Sequence, residues 1–87
     1  MRDAANMQSN IVIRHAREDD LAAIHRLAAL DDRGAPRGDS LLAFVDGELA
    51  VARAADGYSV ADPFRRTAEV QELVALRAVQ ETGRRAA

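Results

Sequence analysis

Val60-Ala61-Asp62-Pro63-Phe64-Arg65-Arg66-Thr67-Ala68-Glu69-Val70 is the stretch on which the fold turns. It reads as a short strand, a proline turn and the start of a helix. Pro63 has no N–H for a strand ladder and closes the strand. Thr67 is a capping residue, and Glu69 follows in the first helical turn, where a carboxylate meets the positive end of the helix dipole. Such a junction holds a phosphate when glycines let the backbone come close to the ligand. No glycine occurs between Val60 and Val70.

Upstream, Asp56-Gly57 precedes Tyr58-Ser59-Val60, and Asp46-Gly47 separates Leu41-Leu42-Ala43-Phe44-Val45 from Leu49-Ala50-Val51-Ala52. Asp-Gly between apolar runs marks a hairpin, because the turn needs positive φ. Three consecutive antiparallel strands follow from this. Further back, Ile11-Val12-Ile13-Arg14 is a β-branched run of strand length. His15-Ala16-Arg17 turns the chain and Glu18-Asp19-Asp20 opens a helix. Its apolar stripe is Leu21, Ile24, Leu27 and Ala28, running on to Leu30. Asp31 to Asp39, with Gly34, Pro36 and Gly38, is a loop. Downstream, Val70, Leu73, Val74 and Leu76 with Val79 are expected to be the buried face of the closing helix, and Gly83 with Arg84-Arg85 its end.

The order β-α-β-β-β-α predicts an α+β two-layer sandwich: one four-stranded, mainly antiparallel sheet with two helices over one face. Met1–Asn10 is expected to be a flexible tail, residues 11–82 the domain and 83–87 a C-terminal tail.

With 87 residues the chain is one domain. A domain this small buries only about 60–65% of its unfolded surface, so its stability margin is thin. It has no cysteine, which removes disulfides and zinc-thiolate sites as staples. Hydrophobic residues at 48% are enough for a core, yet aromatics are 3%, so Leu, Ile, Val and Ala must build it. The net charge of −2 argues against nonspecific nucleic-acid or anionic-membrane binding. All 12 basic residues are arginine, which with the many alanines reads as the codon bias of a GC-rich bacterial genome. Without lysine there is no Schiff-base or P-loop lysine. No apolar run approaches the roughly 20 residues that span a bilayer. The first ten residues lack a signal-peptide core, so a cytoplasmic setting is expected.

Several of these details resemble the first two-thirds of a GNAT-type N-acetyltransferase. Ile11 to Ile24 is similar to that family's first strand and helix. Leu42 to Leu49 looks like its central hairpin, and Pro63-Phe64-Arg65-Arg66 sits where the family carries Pro-x-x-Arg before the acetyl-CoA pyrophosphate loop. The likeness covers residues 11–80. In the family the loop continues as Arg-x-x-Gly-x-Gly/Ala. Here the two small positions are Glu69 and Gln71 counted from Arg66, or Ala68 and Val70 counted from Arg65. Neither register supplies glycine, and Glu69 would repel a diphosphate. The family's fifth strand and fourth helix, which build the other wall of the cofactor cleft, have no counterpart after Gln80.

Arg65, Arg66, Thr67 and Ala68 are the candidate anion or cofactor site. The competing interpretation, which the lack of glycine favours, is a solvated turn whose arginines pair with Asp62 and Glu69. His15 and His25 lack metal spacing, so no metal is expected. Ser9, Ser40 and Ser59 lack a nucleophile elbow, and no catalytic residue is assigned. Glu18-Asp19-Asp20 reads as a helix start. Tyr58 and Phe44 read as packing residues.

Two functions follow. The first is a noncatalytic GNAT-like module for protein interaction or self-association, expected as a homodimer with no cofactor. There Tyr58-Ser59-Val60-Ala61 would be an open sheet edge that invites a second chain, with burial through helix faces as the other route. The second is an acyl-CoA-dependent N-acetyltransferase, or half of one completed by a partner, which would use acetyl-CoA. Glu48 and Asp46 lie in the hairpin turn and Asp62 beside the loop, but none has a supporting partner that would make it a base.

Overall fold

The computed structural model describes residues 10–86; the expected N-terminal tail lies, except for Asn10, outside them. The elements run β1 (Ile11–His15), a 3-10 turn (Glu18–Asp20), α1 (Leu21–Leu30), β2 (Ser40–Val45), β3 (Glu48–Ala54), β4 (Ser59–Ala61) and α2 (Ala68–Ala86). The fold is α+β, with four antiparallel strands in the order β1-β2-β3-β4. The expected class, order and sheet are all present.

The layering differs from the expectation. Side chains alternate across a strand, so the two faces can be read from the pairing register. Leu42, Ala52 and Val60 stand side by side across the sheet and pack under Ile24, Leu27 and Ala28 of α1. Leu41, Ala43 and Val51 point the other way and pack under Val70 and Val74 of α2. The helices therefore take opposite faces, giving helix, sheet and helix layers in place of the expected two. Both faces of the central strands are apolar for this reason, which a single-faced sheet would not require.

Turn chemistry sets the register. Asp46 and Gly47 both have positive φ, 53° and 87°, as a type I′ turn demands. A bulge between Ala43 and Phe44 inserts one residue in β3, so that Ala50 and Val51 both join the α2 side. At the end of α1, Asp32 takes φ 55° while its N–H reaches Ala29 O and the Arg33 N–H reaches Ala28 O. This is a Schellman cap with aspartate in the position glycine usually fills.

Two details of α2 correct the sequence expectation. Val70 and Val74 are buried, but Leu73, Leu76 and Val79 are 43%, 54% and 65% exposed. The sheet below offers only one narrow strip, and a residue three or six places beyond Val70 has rotated past it. The helical backbone also continues through Gly83 to Ala86, because glycine weakens a helix without stopping it.

Candidate functional site

The Pro63 turn is built by Asp62. Its N–H holds Ala50 O at 2.9 Å, fixing the end of β4, and its carboxylate accepts the Phe64 N–H at 2.9 Å. The chain then enters α2 at Thr67, whose carbonyl accepts the Gln71 N–H at 2.7 Å. The Thr67 hydroxyl accepts from the Gln71 side-chain amide at 2.8 Å. Thr67 is buried, Ala68 and Arg66 are exposed, and Arg65 is half-buried.

The four predicted residues are brought together on one open cleft of about 720 Å³, which Ile11, Val45, Asp46 and Glu69 also line. Their electrostatics are those of a neutralised turn. Arg65 is ion-paired to Glu48 across the hairpin and to Asp62, Nε to Oδ2 at 3.4 Å. The expected Asp62 partner is present, whereas Glu69 makes no ion pair among the described residues and Glu48 takes the second role. Arg66 makes none there either. Asp46 and Glu69 on the walls equal the two guanidiniums in number, and Arg65 is already held by Glu48 and Asp62, which weakens the cleft's pull on a phosphate. The carboxylates weighed as bases are engaged elsewhere: Glu48 and Asp62 hold Arg65, and Asp46 accepts the Asn10 N–H at 3.0 Å.

Other polar residues tie elements together in ways the sequence reading missed. Arg14 of β1 makes a bidentate pair with Asp20, at 2.8 and 2.9 Å, and stacks 4.7 Å over Phe44. Asp20 also accepts the Arg17 N–H at 2.7 Å. The Arg14 bond, then the Arg17 bond, outweigh the burial that opposes them and lower the Asp20 carboxyl to about 2. Asp20 is thus the anchor that fixes the start of α1 on the sheet, beyond the dipole role its position implied. His15 Nε2 lies 2.9 Å from Glu81 Oε1, joining β1 to α2, and Arg77 donates to the same carboxylate at 3.1 Å. Burial alone would raise the Glu81 carboxyl; His15 and Arg77 together bring it below its ordinary value. His25 is exposed on α1. Among the described residues no three His, Cys, Asp or Glu side chains stand close enough to hold a metal. No helix there is long and apolar enough to cross a membrane.

The β4 edge is partly covered. Tyr58, Val60 and Asp62 bond inward to β3, so Ser59 and Ala61 turn their backbone groups outward. Asp31 Oδ2 accepts the Ala61 N–H at 3.1 Å, and Arg33 Nη1 donates to Ser59 O at 3.3 Å. Arg33 also stacks 5.0 Å from the Tyr58 ring, whose hydroxyl donates to Gly34 O at 2.6 Å. The Schellman cap aims both side chains at the strand. β4 is the sheet edge expected at Tyr58–Ala61, but it is not wholly free: the Ser59 carbonyl and the Ala61 N–H are met from within the chain. Asp31 and Arg33 were legible only as loop residues, since nothing in their spacing names a target 26 to 30 residues away.

The chain matches no protein-family model, no curated protein and no solved structure.

Proposed function

We propose that this chain is a noncatalytic, GNAT-like small domain of the cytoplasm that works as a protein-interaction module by self-association. The observation that carries this is the outward flank of α2. Leu73, Leu76 and Val79 lie together on one stretch of helix and are each at least 43% exposed. A neighbouring apolar surface that shields them from water is worth about 25 cal/mol per Å² removed. A domain with so small a core gains stability from such a partner. Light scattering on the full chain at high micromolar concentration should give about twice the 9.4 kDa of one chain. A single-chain mass at every concentration overturns the reading.

The alternative is an acyl-CoA-dependent N-acetyltransferase, alone or completed by a partner. The observation favouring it is Arg66, exposed at the head of α2 beside an open cleft. A CoA diphosphate would take the Arg66 guanidinium and the first free N–H groups of α2. The neutral amine substrate would then attack the thioester directly. Calorimetry with CoA, and transfer of label from acetyl-CoA to amines, test this second reading. Binding that Arg66→Ala weakens at least tenfold supports it, and absence of heat with millimolar CoA ends it.

A further inference from the structure

The seam of self-association can be placed on the sheet, and the placement rests on the reading just given. The two sheet edges differ. On β4 the outward Ser59 carbonyl and Ala61 N–H are met by Arg33 and Asp31. On β1, Asn10 and Ala16 bond inward to β2, as Asn10 O with the Asp46 N–H and the Ala16 N–H with Ser40 O. Antiparallel pairing alternates, so Val12 and Arg14 also face inward, and Ile11, Ile13 and His15 turn their N–H and C=O groups outward. Among the described residues no group meets those of Ile11 and Ile13. The His15 carbonyl takes Arg14 Nη1 at 3.1 Å and keeps its second lone pair. Neither proline, glycine nor lysine blunts this strand.

The apolar flank of α2 belongs to the same margin. Glu69, Leu73, Arg77 and Glu81 form one i, i+4 row. Glu69 shares the cleft with Ile11 at one end of β1, and Glu81 bonds His15 at the other. Leu73 therefore lies between these two points, on the β1 side of α2, with Leu76 one row further out.

We infer that two copies of this chain join through β1, antiparallel about a two-fold axis at Ile13, forming one eight-stranded sheet. The pairing is self-complementary, as an isologous contact must be. Ile11, Ile13 and His15 of one copy meet His15, Ile13 and Ile11 of the other, so each outward donor faces an acceptor. Val12 falls opposite Arg14, and no like charges meet. The two α2 helices come to the same side of the seam, and their Leu73 and Leu76 side chains wall a trough floored by Ile11 and Ile13 of both copies.

The chain has no cysteine, so one introduced thiol reports the seam without background. Paired residues of an antiparallel hydrogen-bonded couple have Cα atoms about 5.5 Å apart, within disulfide reach. Mild oxidation of full-length Ile13→Cys should give a covalent dimer on a non-reducing gel, and Ala55→Cys, on the far β3–β4 turn, should give none. Ile13→Pro removes the outward N–H together with the half-buried Ile13 side chain, and should return the mass to one chain with the strand and helix signals of the circular dichroism retained. Wild-type dimers with no cross-link at position 13, or with equal cross-linking at 55, overturn the seam and leave self-association standing. A wild-type chain that is monomeric throughout overturns both. If Ile13→Pro unfolds, the two cysteine variants decide alone.

Discussion

Replacing Asp20 by asparagine tests whether a single carboxylate fixes α1 to the sheet. The side chain is buried and accepts two bonds from Arg14 and one from the Arg17 N–H. Asparagine keeps the shape and can still accept from Arg17, but it loses the charge that Arg14 grips. The folded carboxyl is lowered from 3.8 to about 2. At 1.36 kcal/mol per pKa unit this corresponds to about 2 kcal/mol of folding stability at neutral pH. For a domain of this size the loss lowers Tm by roughly 8–16 °C. The pH dependence is as specific as the size. Because folding depresses this pKa, the contribution is complete above the unfolded value near 4 and vanishes as pH falls through the folded value near 2. Urea unfolding of parent and Asp20→Asn across that range should show a gap that is widest at neutral pH and closes towards pH 2. A gap that does not change with pH, or one below about 0.5 kcal/mol at neutral pH, refutes the assignment.

Other substitutions probe the remaining supports. Leu42→Ala empties the centre of the α1-side core, where Leu42 is fully buried, and should cost about 3 kcal/mol by chemical denaturation. Asp31→Ala leaves the Ala61 N–H without its acceptor; it should cost about 1 kcal/mol and raise the rate of aggregation seen by light scattering. Gly47→Ala forces a Cβ into φ 87° with no neighbouring atom in its way, so the loss of about 1 kcal/mol measured by urea melts reports backbone conformation alone.

The local parts of this fold were readable because local chemistry decides them. Asp46-Gly47 states its hairpin through a backbone requirement that few residue pairs meet, and Pro63 states where β4 stops. The helix stripe of Ile24, Leu27 and Ala28 is likewise a short-range pattern, and all three are buried. What the sequence did not disclose depends on distance. The side of the sheet that α2 takes is set by the crossover after Ala61, and a run such as Leu41-Leu42-Ala43 is apolar on both faces whichever way the helix goes. The choice of which α2 residues are buried was over-counted because periodicity gives a stripe but not its width. Arg65 to Ala68 were legible as a group because they are consecutive, and they line one cleft together; their neighbour Asp62 was named as a partner and does pair with Arg65. Glu48 was not expected as the second partner, because it reaches Arg65 only once the hairpin folds alongside the turn. Asp20 and Asp31 carry no signal that separates them from ordinary cap and loop residues, since their partners are fixed by tertiary geometry.

The covering of β4 by Asp31 and Arg33 has a consequence for growth. A sheet with two receptive margins can add copies without end and build a fibre, whereas one with a single receptive margin is exhausted after one addition. If copies of this chain join edge to edge as inferred above, the side chains of Asp31 and Arg33 on the other margin would make strand addition a terminating event and not a propagating one. On that reading, loss of Asp31 and Arg33 would let concentrated solutions of this chain pass from discrete particles towards a gel.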